Sequence, residues 1–155
     1  MICYNVEVAR KYAVTNARRR AIIEFHEGYY RQPQVFANIL MHDTFIDIHN
    51  HELDGLDETI VICEGRVGVL TFNEYFEIED HVLLDVRSDK KCVTISSFEL
   101  HTVVCLSEVA MIIEIKKGPY DQSTGKKIFA TRDELYEIGI TLDSLKKKFN
   151  DSQSK

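Results

Sequence analysis

TFIDIHNH (residues 44–51), TIVIC (59–63), VGVLTF (67–72), YFEIED (75–80), HVLLDV (81–86), CVTISS (92–97), HTVVCL (101–106) and AMIIEI (110–115) follow one another along the middle of the chain. Each run is short and rich in β-branched or aromatic residues, which pack well on a pleated, half-buried surface. Turn pairs such as Glu64-Gly65 and Asn73-Glu74 lie between them. About eight strands in quick succession, with no helix-length segment among them, favour an antiparallel sandwich or jelly-roll barrel over a βαβ fold.

Outside this block the signals are sparser. The segment from Val6 to about Arg20 reads as a helix, and Val35 to Leu40 as a strand or a helical turn. Beyond the block, Thr131 followed by Glu134 has the form of a capping box, and Leu142, Leu145 and Phe149 recur at helical spacing. One or two short C-terminal helices are therefore expected, ahead of the polar tail DSQSK. There is no internal repeat and no low-complexity linker, and the only prolines are Pro33 and Pro119. The expectation is one domain over residues 1–155, with a barrel at about 35–117, an N-terminal extension 1–34 and a C-terminal extension 118–155.

At 155 residues, the chain is long enough to bury roughly 70% of the surface it exposes when unfolded. Hydrophobic residues make up 45% and charged residues 28%, as in ordinary globular proteins. The net charge of −6 argues against a nucleic-acid partner, since phosphate backbones are met by clustered Lys and Arg. Two basic clusters do occur, Arg18-Arg19-Arg20 and Lys146-Lys147-Lys148. Both read first as solvated faces, and the arginines also suit an anionic ligand such as a phosphorylated sugar. Cys3, Cys63, Cys92 and Cys105 form no CxxC pair, as expected of reduced thiols. No stretch approaches the roughly 18 apolar residues of a membrane helix. A cytoplasmic protein without a membrane partner is expected.

The chemistry centres on histidine. Side chains at i and i+2 of a strand share a face, so His49 and His51 point one way and Asn50 the other. Glu58 opens the next apolar run, and His101 opens a later one that an antiparallel barrel can bring alongside. Three imidazoles and a carboxylate, with one or two coordination positions left open, suit one divalent transition metal: Fe, Mn, Ni, Co or Zn. An HxH pair alone is a weak signal, as common in a solvent-facing or hydrogen-bonded pair as in a ligand pair. Asp47 lies on the same face, either to orient a ligand histidine or to sit solvated at the barrel mouth. Cys105 shares the face of His101 and reads as a buried, inert thiol near the cavity. His42 and His81 read as surface or turn residues.

His49-Asn50-His51, then Glu58, then six residues and Gly65 resemble the first cupin motif, with His101 where the second motif supplies its histidine. From about Arg18 to Ala130 the chain resembles the WbuC family of cupin-fold metalloproteins. The matching pieces are ARRRAIIEFHEG, IHNH, ETIVICEGRVGVLTF, LHTVV and EIKKGPYDQSTGKKIFA. This resemblance implies an all-β core, a cupin-type antiparallel jelly-roll β-barrel with short N- and C-terminal helical segments. It also implies metal ligation by His49, His51, Glu58 and His101, and a setting in polysaccharide biosynthesis. The loop between His51 and Glu58 is about two residues longer than in the family, which makes Glu52 and Asp57 alternative carboxylates. Ser96, Phe98 and Leu100 replace the family's Pro, Gly and Trp ahead of His101, and the segment beyond Ala130 departs from the family's ending.

Tyr120, Arg20, His26 and Asp47 are candidate substrate-binding residues. Tyr29, Tyr30 and Arg31 form an aromatic and basic cluster that reads as a packed edge. The expected function is a metal-dependent enzyme acting on a small polar metabolite, a sugar or nucleotide sugar, as an isomerase, epimerase or dioxygenase. The alternative is a non-catalytic small-molecule-binding or regulatory cupin with a degenerate metal site. Exposed sheet edges need cover, so a homodimer is expected.

Overall fold

The computed structural model describes residues 3–28, 30–52, 55–119 and 125–150. Helix α1 (Val6–Thr15) leads into strands β1 (Arg20–Glu24), β2 (Gln34–Met41), β3 (Ile48–Asn50), β4 (Glu58–Glu64) and β5 (Arg66–Phe72). Strands β6 (Ile78–Asp85), β7 (Cys92–Ile95), β8 (Leu100–Cys105), β9 (Val109–Lys116) and β10 (Lys127–Ala130) follow, then helices α2 (Arg132–Glu137) and α3 (Leu142–Asn150). The strands form two five-stranded sheets, β1-β2-β9-β4-β7 and β10-β3-β8-β5-β6, with antiparallel pairing throughout. This is the expected jelly roll.

Alternation along the strands sets what each face meets. Leu40, Ile60, Ile62, Ala110 and Ile112 of the first sheet pack against Val67, Val69, Val103 and Cys105 of the second. Fully burying an aliphatic side chain of this size contributes roughly 1.5–3 kcal/mol. The second sheet is covered on its outer face as well, where Leu70, Phe72 and Val104 meet Leu135, Leu145 and Phe149 of α2 and α3. The sequence there is accordingly apolar in continuous runs. Gly68 is required beneath α3, because a Cβ at that position would overlap the Phe149 ring. On the outer face of the first sheet, Ala13 of α1 packs on Ala21 and Ile39.

Gly65 alone separates β4 from β5, which lie in opposite sheets, so the chain turns a corner on one residue. Its φ of +71° belongs to the left-handed region, and a Cβ there would collide with Ser107 and the Val109 carbonyl.

Several expectations are corrected. Helix α1 stops at Thr15, where the Asn16 amide takes the Tyr12 carbonyl and its side chain bridges the carbonyls of Tyr12 and Arg20. Arg20 then begins a strand, and of the two readings of Val35 to Leu40 the strand is the one that holds. YFEIED and HVLLDV contribute to one strand, because Asn73 Oδ1 accepts from the amides of Tyr75 and Glu77 and holds 73–77 in a turn. Of TFIDIHNH only Ile48–Asn50 is strand. The sheets also run past the 35–117 limits, taking in β1 and β10, the latter through its pairing with β3. The C-terminal helices form as expected, and the capping box of Thr131 and Glu134 is present at α2.

Candidate metal centre and cavity

The inward face of the first sheet changes character along its length. On β9 the inward positions read Ala110, Ile112, Glu114 and Lys116; on β2 they read Leu40, Asn38, Phe36 and Gln34, in register with them. The barrel is therefore apolar at one end and polar at the other. At the polar end, β3 and β8 of the second sheet set His49 directly opposite His101, and His51 follows β3 on the same face. Glu58 opens β4 in the facing sheet, paired with Lys116 of β9.

His49, His51, Glu58 and His101 are all buried, and their ligand atoms lie within 4.8 Å of one another. The Nδ1 of His49 donates to the Asp47 carbonyl at 2.9 Å, and that of His101 to the Glu99 carbonyl at 2.8 Å. His51 Nδ1 donates to the Gly125 carbonyl. A carbonyl can only accept, so each ring carries its proton on Nδ1 and aims Nε2 into the centre. His51 Nε2 and His101 Nε2 stand 3.1 and 3.0 Å from one oxygen, Glu58 Oε2. Imidazole lone pairs gathered round a carboxylate oxygen repel unless a cation lies among them. Donors held about 2.0–2.1 Å from a first-row ion at right angles stand about 3.0 Å apart, so the spacing fits an ion as well as it fits a shared proton.

The electrostatics keep these donors ready. Burial works against the Glu58 charge, but the Lys116 ammonium, 2.9 Å from Oε1, holds its carboxyl well below the usual range. Burial, helped by the Lys126 charge, holds His49 well below the usual imidazole value and therefore neutral. Glu114 behaves in the opposite way. Burial and the nearby Glu58 charge push it up to about 8, while Asn38 Nδ2 donates to its Oε1 at 2.7 Å. Lys116 bridges the two acids, 3.5 Å from Glu114 Oε2.

The centre opens into a cavity of about 490 Å³ that crosses the first sheet to β1, within the size range of small-molecule sites. Arg20 and His26 line it, as does Arg18, whereas Arg19 pairs with Asp43. The Asp47 carboxylate accepts from the Arg132 amide in an exposed contact, and its backbone carbonyl orients His49. The alternative carboxylates are elsewhere, Glu52 bonded to Lys127 and the exposed Asp57 accepting from the Ser97 amide. Tyr120, with Tyr29, lies outside the described residues. Cys105 sits in the apolar core, its thiol pushed up by burial and bonded to the Ser107 carbonyl at 3.2 Å. Lys146 is not on a solvated face; it is buried against His42. His81 packs edge-on to Phe149.

Sequence reasoning missed Asn38, Glu114, Lys116 and Lys126. For Glu114 and Lys116 the signal was present, since the parity of AMIIEIK puts both charges on the face that carries Ala110 and Ile112.

Comparison with curated proteins gives no match. Among solved structures, protein SO0799 from Shewanella oneidensis superposes with a TM-score of 0.62 at 8% identity, over 93% of this chain and 94% of that one. The capsular polysaccharide assembling protein CapF from Staphylococcus aureus gives 0.58 at 18% identity, over 76% of this chain and 33% of its own. Oxalate decarboxylase from Lactobacillus farciminis gives 0.51 at 11%, over 74% of this chain and 33% of its own. This chain thus spans about a third of either of the last two. Such identities speak for the fold alone, and that fold is the cupin jelly roll. The profile of a family described as a domain of unknown function, DUF6016, matches residues 5–84, just over half of the sequence, and the chain belongs to that family.

Proposed function

We propose that the chain is a metal-dependent cupin enzyme whose single divalent transition ion is held by His49, His51, Glu58 and His101. The observation that carries this reading is the aim of the imidazoles: three Nδ1 protons are taken up by main-chain carbonyls, and two of the Nε2 atoms converge on one Glu58 oxygen. When bound, such an ion polarises a carbonyl, activates water or presents oxygen. Around it the chain's own groups divide the work. Lys116 holds Glu58 in its ionised form and in place. Glu114, protonated near neutral pH, is the group able to give a proton to a molecule in the cavity and take one back. That pairing suits an isomerase or epimerase acting on a small polar metabolite more directly than an oxygenase.

Kinship with the WbuC family, and a sugar or nucleotide sugar as substrate, remain part of this proposal. They are supported by the quoted motifs and by the fold shared with CapF. Residues 1–155 acting as one domain, a homodimer and a cytoplasmic setting also belong to it; among the described residues no helix is long and apolar enough to cross a membrane. A second reading, a binding module without metal, is favoured by one observation: Lys116 already supplies Glu58 with a countercharge.

Elemental analysis of the purified protein separates the two readings. Near-stoichiometric metal in the parent, lost in His49→Ala and His101→Ala, is the expected result. A parent that takes up no metal after exposure to Fe(II), Mn(II), Ni(II) and Zn(II) would leave the binding module as the function.

A further inference from the structure

The cavity beside the centre is cationic in a chain that is acidic overall. Five of its lining residues are lysine or arginine and three are glutamate, against a net charge of −6 for the whole sequence. One of the cations, Lys116, is committed to Glu58 and Glu114. Two others are not committed. Arg20 projects from the inward face of β1, and its Nε is shielded from solvent with no hydrogen-bond partner among the described residues. Lys126 stands just ahead of β10, close enough to the centre for its charge to act on His49, and makes no hydrogen bond or ion pair among the described residues. A guanidinium N–H withdrawn from water and left unpaired is unfavourable unless a ligand completes it. A cleft lined by one sign of charge also concentrates ligands of the other sign.

The placement of these groups bears on the ligand. The centre lies on β3, β4 and β8, whereas Arg20 is on β1, three strands from β4 in the first sheet and in register with Ala110 rather than with Lys116, so the two backbones are at least about 14 Å apart at the usual strand spacing. A small carboxylate such as oxalate would be satisfied by an ion and one neighbouring base. It would leave the far cations unused. An arginine fork matches the oxygens of a phosphate, and Arg18 lines the same side of the cavity.

We propose that the cavity takes a phosphate-bearing small molecule, its phosphate held by Arg20 with Arg18 at the rim, and its other end turned toward His49 and Glu58, beside Lys126. This names the substrate class of the function proposed above and rests on that reading.

The test is calorimetric titration of the full chain, stripped of metal with a chelator and dialysed, with inorganic pyrophosphate, and in parallel with succinate. Elemental analysis is run on the same preparation before stripping. Pyrophosphate is expected to bind saturably, one per chain, and at least tenfold more weakly to Arg20→Gln and to Arg18→Gln; succinate is expected to bind at least tenfold more weakly than pyrophosphate. The comparison is read on whichever variant keeps the parent's unfolding temperature. Absence of pyrophosphate binding, equal binding by parent and folded variant, or succinate binding as tightly as pyrophosphate would each overturn the proposal. Metal without pyrophosphate binding removes this inference alone, and pyrophosphate binding in a protein that never holds metal removes the metalloenzyme reading alone.

Discussion

Lys116→Met tests whether the ammonium is the resident countercharge of the centre. Its Nζ lies 2.9 Å from Glu58 Oε1, in a pair whose side chains are 16% and 3% exposed. Removing one partner of a buried ion pair costs about 3–5 kcal/mol, because the other charge is left uncompensated. The Lys116 side chain keeps 16% of its surface in solvent, which screens the pair, so the lower end of that range, about 3 kcal/mol, applies here. For a chain of this size 1 kcal/mol moves the midpoint by about 2–4 °C, so metal-free Lys116→Met should melt about 6–12 °C below the metal-free parent. A divalent ion supplies the missing positive charge, and at about a hundredfold excess over its Kd contributes about 2.7 kcal/mol to either protein. It should also narrow the gap between them. The assay is calorimetric or fluorescence melting of both proteins, with chelator and with the ion identified by elemental analysis. A variant melting within about 2 °C of the parent in chelator, below the shift that 1 kcal/mol produces, would refute the assignment of Lys116 as the countercharge. A gap unchanged by the ion would refute the idea that ion and ammonium share that role.

Two further outcomes follow from the same geometry. Glu114 sits at about 8 in the folded protein against about 4.3 in an unfolded chain, so the native state holds a proton that the unfolded state releases. Stability should therefore fall as pH rises through that window and level off above about 8; from about pH 6.5 upward the unfolded His49 is already neutral and its opposing contribution is gone. In metal-free protein the melting midpoint should decline between these limits, and Glu114→Gln should flatten the decline; a slope that survives in the variant contradicts the assignment. Gly68→Ala would set a methyl group into the Phe149 ring, an overpacking cost of about 1–3 kcal/mol. Phe149→Ala made in the same chain should relieve part of it, and purely additive losses in the double-mutant cycle would show that α3 does not rest on β5 at that point.

The strand runs between residues 44 and 116 carried the fold because their period and turn residues are local properties. His49 and His51 could be paired because strand parity fixes which side chains of one strand share a face, whereas Glu58 and His101 joined them through the resemblance to the cupin motifs. What escaped was decided across strands. Arg20 read as the end of a helix because the strand it opens, Arg20–Glu24, is set by its pairing with β2, ten residues on. Lys127–Ala130 looked like an extension because its partner, β3, is far away in sequence. Asp47 was a candidate by parity, but the start of α2 draws its carboxylate away from the centre, a contact made across 85 residues. Lys146 shows the same limit: a run of three lysines implies solvent, and only the docking of α3 turns the first of them inward against His42.

The three imidazoles are aimed by main-chain oxygens of Asp47, Glu99 and Gly125 rather than by neighbouring side chains. Every amino acid brings the same carbonyl, so the instruction that orients the rings is written in the path of the chain and not in the identity of those three residues. Lineages of this fold are accordingly free to exchange the flanking side chains almost at will, provided the strands keep their course. Insertions or deletions that shift the backbone by a single position there would disarm the centre while leaving all four donors in the sequence.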